Sequence, residues 1–291
     1  MLIVDVFAER PLEGNPLAVF PDASDYAERL MQDLAREMNL SESTFISGRV
    51  SDGSWRVRIF TPGRELPFAG HPTLGTAWVI RNLLSEGSPE TVTLALKVGK
   101  VDVRFESGGG SPEDAMPWLT APPYTLGATL PREAMAAALR LDPADLDPTL
   151  PAQVVEMGLP TTIVPLRSRD ALIRCRPDPD GFAAAGTPIH SYVFCREPRD
   201  PGHELSARFF FEANGPREDP ATGSATAAFG GYALEHGFLG AAFRVRIGQG
   251  HEIARPSLLH LQARRENGAP FIEVGGRVLP VSKGALFAGV R

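Results

Sequence analysis

The sequence predicts an α+β fold of two similar halves, on three observations. Short strand signals recur along the whole chain. Two helices, starting near His71 and Thr222, are apolar almost all round, so each belongs inside a core. Both open on small residues about half the chain apart: Ala69-Gly70-His71-Pro72-Thr73-Leu74-Gly75-Thr76-Ala77 and Asp219-Pro220-Ala221-Thr222-Gly223-Ser224-Ala225. A plan repeated at that spacing points to two related domains meeting at their helix starts.

The elements follow in order. Leu2 to Phe7 is a first strand, and Pro11 to Pro16 is turn-rich. Leu17 to Phe20 is a second strand. Residues 24–38 have helical spacing, with Leu30, Leu34 and Met38 four apart, and Asn39 suits a helix stop. Thr44-Phe45-Ile46 is a short strand, and Trp55 to Phe60 alternates as a half-buried one. His71 to Leu84 is helical, with Pro72 in its first turn. Strands follow at Thr91 to Leu96 and Lys100 to Phe105. Gly108-Gly109-Gly110 and Pro112 mark an exposed loop. Ala121 to Ala128 is a linker and Leu130 to Leu141 a short helix. Strands come at Val154 to Gly158, Thr161 to Leu166, Ile189 to Arg196 and Leu205 to Phe211. The second buried helix runs from Thr222 to His236 and stops at Gly237. Late strands lie at Phe243 to Ile247, Leu258 to Ala263, Phe271 to Val274 and Arg277 to Val281.

Composition bounds the function. With 43% hydrophobic and 22% charged residues, the chain of 291 residues is an ordinary globular sequence, long enough for two cores. A net charge of −6 with no long basic run argues against nucleic acid as a partner. No apolar run reaches membrane-spanning length, and the N-terminus lacks a signal-peptide pattern. Only two cysteines, Cys175 and Cys195, are present, so neither a disulfide framework nor a zinc site is expected. A reduced, cytoplasmic protein is.

The two helix starts are the best places for chemistry. A helix N-terminus offers unpaired N–H groups and a partial positive charge, and two such ends facing each other would hold a carboxylate. The candidate substrate contacts are Gly70, Pro72 and Thr73 at one start and Thr222, Gly223 and Ser224 at the other. Gly70, Gly75 and Gly223 would allow close approach. Three titratable groups stand near these motifs. Glu42, in Ser41-Glu42-Ser43-Thr44-Phe45, enters an apolar strand, where burial would raise its pKa towards neutrality. Its alternative is a solvated turn carboxylate. His71 directly precedes a helix and Asp219 precedes Pro220; each could equally be an ordinary helix-start residue. The chain has no Gly-x-Ser-x-Gly elbow, no P-loop and no dinucleotide fingerprint, and its six histidines show no His-Glu-x-x-His or other metal spacing, so those readings fail.

Taken together, these motifs make the chain resemble the PhzF-like phenazine-biosynthesis isomerases, a branch of the diaminopimelate epimerase fold. The likeness rests on Gly14-Asn15-Pro16-Leu17-Ala18-Val19, Ser41-Glu42-Ser43-Thr44-Phe45 and Arg58-Ile59-Phe60-Thr61-Pro62. It continues through the stretches from Glu65 to Ala77 and from Glu218 to Ala225, then Gln249-Gly250, Arg255-Pro256-Ser257 and Gly275-Gly276. The resemblance implies two domains, each a barrel-like sheet around a central helix, with a site in the cleft between them. These would be 1–120, completed by a strand within 277–291, and 121–276. It further implies a homodimer without organic cofactor or metal. By motif position Glu42 matches the family's catalytic glutamate, and His71, Asp219 and Ser224 match its polar partners. The expected reaction is a proton shift within a small carboxylate substrate, with Glu42 as general acid/base. A racemase or epimerase, or a non-catalytic metabolite binder on the same scaffold, is the alternative. A two-thiol epimerase mechanism is disfavoured, because neither cysteine stands at a helix start.

Overall fold

The computed structural model describes residues 1–111, 114–213 and 215–286. Pro112, in the expected glycine loop, and residues 287–291 lie outside the described residues. The chain divides into two compact units: Met1–Leu119 together with the stretch from Gly275, and Thr120–Val274.

In the first unit, β1 (Leu2–Val6) pairs antiparallel with β2 (Asn15–Phe20). Helix α1 (Glu28–Met38) buries Met31, Leu34 and Ala35, and ends where Asn39 turns left-handed at φ 51°. Strand β3 (Glu42–Arg49) returns parallel to β2, and β4 (Trp55–Phe60) is antiparallel to β3. The two-residue β5 (Glu65–Leu66) folds back on β4. Helix α2 (Gly70–Val79) comes next, followed by β6 (Thr91–Leu96) parallel to β4. Then β7 (Gly99–Glu106) and β8 (Met116–Thr120) run antiparallel in turn. All ten residues of α2 are buried, against β1, β2, β3, β6 and β7. This all-round burial explains its lack of a polar face. The expected continuation to Leu84 does form, but as a π turn over Ile80–Leu84, with Ser85 N–H donating to Ile80 O.

The second unit begins with β9 (Thr125–Leu130), which corrects the expected linker at 121–128. Its side chains are mostly exposed, so it shows little apolar pattern; pairing with β10 (Ala152–Met157) makes it a strand. The expected helix at 130–141 narrows to α3 (Arg132–Ala138). Strand β11 (Leu159–Pro165) pairs antiparallel with β10. Two six-residue helices, α4 (Arg169–Arg174) and α5 (Pro179–Ala184), are too short for periodicity to reveal. Strand β12 (Ser191–Cys195) is parallel to β11, and β13 (Leu205–Glu212) is antiparallel to β12. Strand β14 (Pro216–Asp219) folds back on β13 and leads into helix α6 (Gly223–His236), which ends at Gly237 with φ 67°. Strand β15 (Phe243–Gln249) is parallel to β13, and β16 (Ser257–Glu266) is antiparallel to β15. Strand β17 (Ala269–Gly275) follows. Helix α6 is buried against β10, β11, β12 and β16. The last strand, β18 (Val278–Lys283), pairs antiparallel with β1 in the first unit.

The two units therefore share one strand order. Strands β18-β1-β2-β3-β4-β6-β7 match β9-β10-β11-β12-β13-β15-β16 in sequence of antiparallel and parallel pairings. In each, a short hairpin strand precedes the central helix. The repeat reaches individual side chains. Arg58 on β4 makes a bidentate pair with Glu65 on β5, at 2.7 and 2.9 Å, and lies 5.0 Å from the Phe60 ring. Arg208 on β13 makes the same pair with Glu218 on β14, at 3.0 and 2.6 Å, and lies 4.7 Å from the Phe210 ring. These bridges pin the two hairpins that deliver the chain to α2 and α6.

Candidate active site

The first unit brings Glu42 and His71 together. Glu42 is the first residue of β3, and His71 is the second of α2. His71 Nε2 lies 3.5 Å from Glu42 Oε2, and Glu42's side chain is 16% exposed, leaving it open to a ligand. Burial pushes the His71 imidazole down to about 3, so it is neutral near pH 7. Its Nε2 makes no hydrogen bond. Helix α2 starts without a side-chain cap, after Ala69 in extended conformation. Thr73 turns both its N–H and its hydroxyl to Ala69 O, and Pro72 has no N–H. The donors of this turn therefore narrow to Gly70 and His71. Gly75 has another use than ligand approach: a Cβ there would sit 2.7 Å from Leu17 Cδ2 and 2.8 Å from Val6 Cγ2, so its smallness lets α2 press on β1 and β2. Thr76 reaches over to donate to Thr44 Oγ1 of β3, at 2.8 Å.

The second unit assembles its own cluster around Asp219, the buried last residue of β14. Thr222 Oγ1 donates to Asp219 Oδ2 at 2.5 Å. Gln249, fully buried at the end of β15, ties the turn together: its Nε2 donates to Asp219 O and Thr222 Oγ1, and its Oε1 accepts from Thr222 N–H. Asp219 is thus a held carboxylate and not the helix cap, a position taken by Thr222. No side chain caps α6, and Thr226 N–H already bonds Thr222 O. Gly223, Ser224 and Ala225 are left as the first-turn donors, and Ser224 is exposed. Gln249 is a polar partner whose motif, Gln249-Gly250, carries no sign of this role in the sequence; its burial and its bonds appear only in the structure.

Comparisons with known proteins decide the family. The family described as "Phenazine biosynthesis-like protein" matches residues 4–284. The chain belongs to this family. A relative named trans-2,3-dihydro-3-hydroxyanthranilate isomerase, from Pseudomonas fluorescens, is 36% identical over 287 residues, covering 98% of each chain. A solved structure called a predicted epimerase from Pseudomonas aeruginosa is 31% identical, with a TM-score of 0.80 and 99% of each chain covered. A Bacillus anthracis protein of the PhzF family shares the fold at a TM-score of 0.86 and 24% identity, over 97% of this chain and 96% of that one. The α+β architecture is that of these phenazine biosynthesis-like proteins, and the chain is an isomerase-type enzyme.

Within this family member, three further observations bear on the site. The thiols are poorly placed for acid/base work. Cys175 caps α4 and Cys195 ends β12, and burial pushes them up to about 12 and about 11. A cavity of about 250 Å³ in the first unit is lined by Trp78, Asn82 and Arg277 among others, and includes neither Glu42 nor His71. The internal repeat also exposes a residue that motif reading missed. Ser43 pairs with Phe60, and Ser191 pairs with Phe210. The residue before each serine is Glu42 in one unit and His190 in the other. His190 is half-buried, its ring 6.3 Å from that of Phe209, and burial lowers its pKa. Among the described residues, no helix is long and apolar enough to cross a membrane.

Proposed function

We propose that this enzyme shifts a proton within a small carboxylate substrate without a cofactor, and that Glu42 is its general acid/base. The observation that carries this reading is the Glu42 Oε2 to His71 Nε2 approach of 3.5 Å at an uncapped helix start. Glu42, as carboxylate, takes a proton from an acidic C–H conjugated to a double bond. The electron pair moves along the conjugated system, and the same carboxyl returns the proton to another carbon. Neutral His71 offers or accepts a hydrogen bond to a ring or amino substituent. Its low basicity keeps it from taking the substrate's proton from Glu42 between abstraction and return. First-turn N–H groups meet the substrate carboxylate, Gly70 and His71 at α2 or Gly223, Ser224 and Ala225 at α6. Asp219, held by Thr222 and Gln249, serves as a second polar partner. Domain limits near 120 and 276 and a homodimer belong to this reading. The name of the Pseudomonas fluorescens relative makes dihydro-hydroxyanthranilate-type ring acids the first substrates to try.

Glu42→Gln keeps size and hydrogen bonding but removes the base. Turnover should fall about 10²- to 10⁴-fold, with an unchanged circular-dichroism spectrum. Normal turnover in Glu42→Gln would sink the assignment. Stereoinversion is the second reading, favoured by His190 standing at the place equivalent to Glu42. Turnover in D₂O separates them. A shift moves the double bond, whereas inversion leaves it in place and puts deuterium at a stereocentre.

A further inference from the structure

We propose that Asp200, His203 and His251, none of them a member of the Glu42 or Asp219 clusters, form a binding site for a divalent transition-metal ion such as Zn²⁺. Asp200 and His203 stand three apart in the turn between β12 and β13, closed by the His203 N–H donating to Asp200 O at 3.0 Å. His251 opens the single 3₁₀ turn His251–Ile253 after β15. The fold brings them together from distant stretches, which is why spacing along the chain does not reveal the group. His203 Nδ1 and His251 Nε2 each lie 3.7 Å from Asp200 Oδ2, and the three ligand atoms are within 4.8 Å of one another.

Three features favour an ion over a simple polar contact. His203 Nδ1 is buried and makes no hydrogen bond. The two imidazoles are 14% and 11% exposed, while Asp200 is 51% exposed, so an ion could enter past the carboxylate. Beneath them lies Gly248, where a Cβ would come within 2.7 Å of His203 Nδ1 and 3.1 Å of His251 Nε2. A side chain there would close the space the ring nitrogens face. The nearest cation in sequence, Arg199, points its guanidinium to Glu252, at 4.0 Å. Two imidazoles and one carboxylate, with a fourth position for water, form a donor set suited to Zn²⁺. Ca²⁺ and Mg²⁺ prefer oxygen ligands. Tetrahedral bonds of about 2.0–2.1 Å place ligand atoms roughly 3.3 Å apart. The Asp–His distances need to close by a few tenths of an ångström. Such an ion would tie the β12–β13 turn to the end of β15, so binding should raise the melting temperature.

The test uses the untagged full chain, stripped with a chelator and titrated with Zn²⁺ by calorimetry. One equivalent should bind, with a rise in melting temperature, and Co²⁺ should give the visible bands of a tetrahedral site. His203→Ala, His251→Ala and Asp200→Asn should each weaken binding at least ~10-fold, the lower end of what even an outer-shell partner contributes. His260→Ala should not. Asp200→Asn, at a half-exposed turn, decides the matter if a histidine variant misfolds. No binding at millimolar Zn²⁺ overturns the proposal. So does wild-type affinity in Asp200→Asn or in a folded His203→Ala/His251→Ala chain.

Discussion

At the scale of single residues, His71 carries a measurable consequence. Its imidazole falls from the usual 6.5 to about 3 because burial disfavours the charged ring. The Glu42 carboxylate, 3.5 Å away, pulls the other way, and burial outweighs it. Above pH 6.5 the ring is neutral in both folded and unfolded chains and adds no pH dependence. As pH falls from 6.5 towards 3, the unfolded chain binds a proton that the folded chain refuses. Stability then drops with pH, by up to about 1.4 kcal/mol per unit. Urea melts of wild type and His71→Gln at pH 7.5 and 5 check this. Wild type should lose up to ~2 kcal/mol more on acidification. Equal losses, or an imidazole that titrates by NMR above 6.5, would mean that Glu42 and not burial governs the ring, and His71 would then be an imidazolium partner.

At the scale of elements, α2 depends on Gly75. Valine there would drive its Cβ into Leu17 and Val6, both on strands that cannot retreat without moving the sheet. Replacing a mid-helix glycine normally gains up to ~1 kcal/mol when the newcomer is alanine. Overpacking a tight core costs about 1–3 kcal/mol, and valine lacks alanine's helical advantage. Gly75→Val should therefore lower the urea midpoint, with a net loss of at least ~1 kcal/mol; an unchanged midpoint would show that β1 and β2 yield freely. The same helix shows what the sequence made legible. Its small, apolar opening was visible at once, as was that of α6, because all-round burial leaves a one-dimensional trace. So were most strands, whose alternation reflects one covered face. Strand β9 was not, because its side chains are exposed and its identity comes from pairing with β10. Helices α4 and α5 were too short to show a period. In the candidate site, Glu42, His71 and Asp219 were legible as motif residues. Gln249's role and His190's equivalence to Glu42 were not, since both depend on strand register.

At the scale of the whole molecule, the first unit is closed by the far end of the chain. Strand β18 lies along β1 from Leu2↔Lys283 to Val6↔Val278, and the Phe7 N–H donates to Arg277 O. The N-terminal amine donates to Gly284 O at 2.8 Å. Val278 is buried, and α2 packs on β18 as well as on β1 and β2. Without β18, β1 would present an open edge and one side of α2 would lose its cover, including the wall beside the helix that carries His71. The second unit has its own strand, β9, in the corresponding place. A chain ending at Gly276 should therefore keep a protected second unit while the first becomes protease-sensitive and quickly exchanging. Hydrogen exchange read by mass spectrometry would distinguish the units: peptides over β1, β2 and α2 should lose protection in the shorter chain, and those over β11, β12 and α6 should keep it. If both sets of peptides lose protection together, the units fold as one body and the strand-order repeat has no counterpart in independent stability.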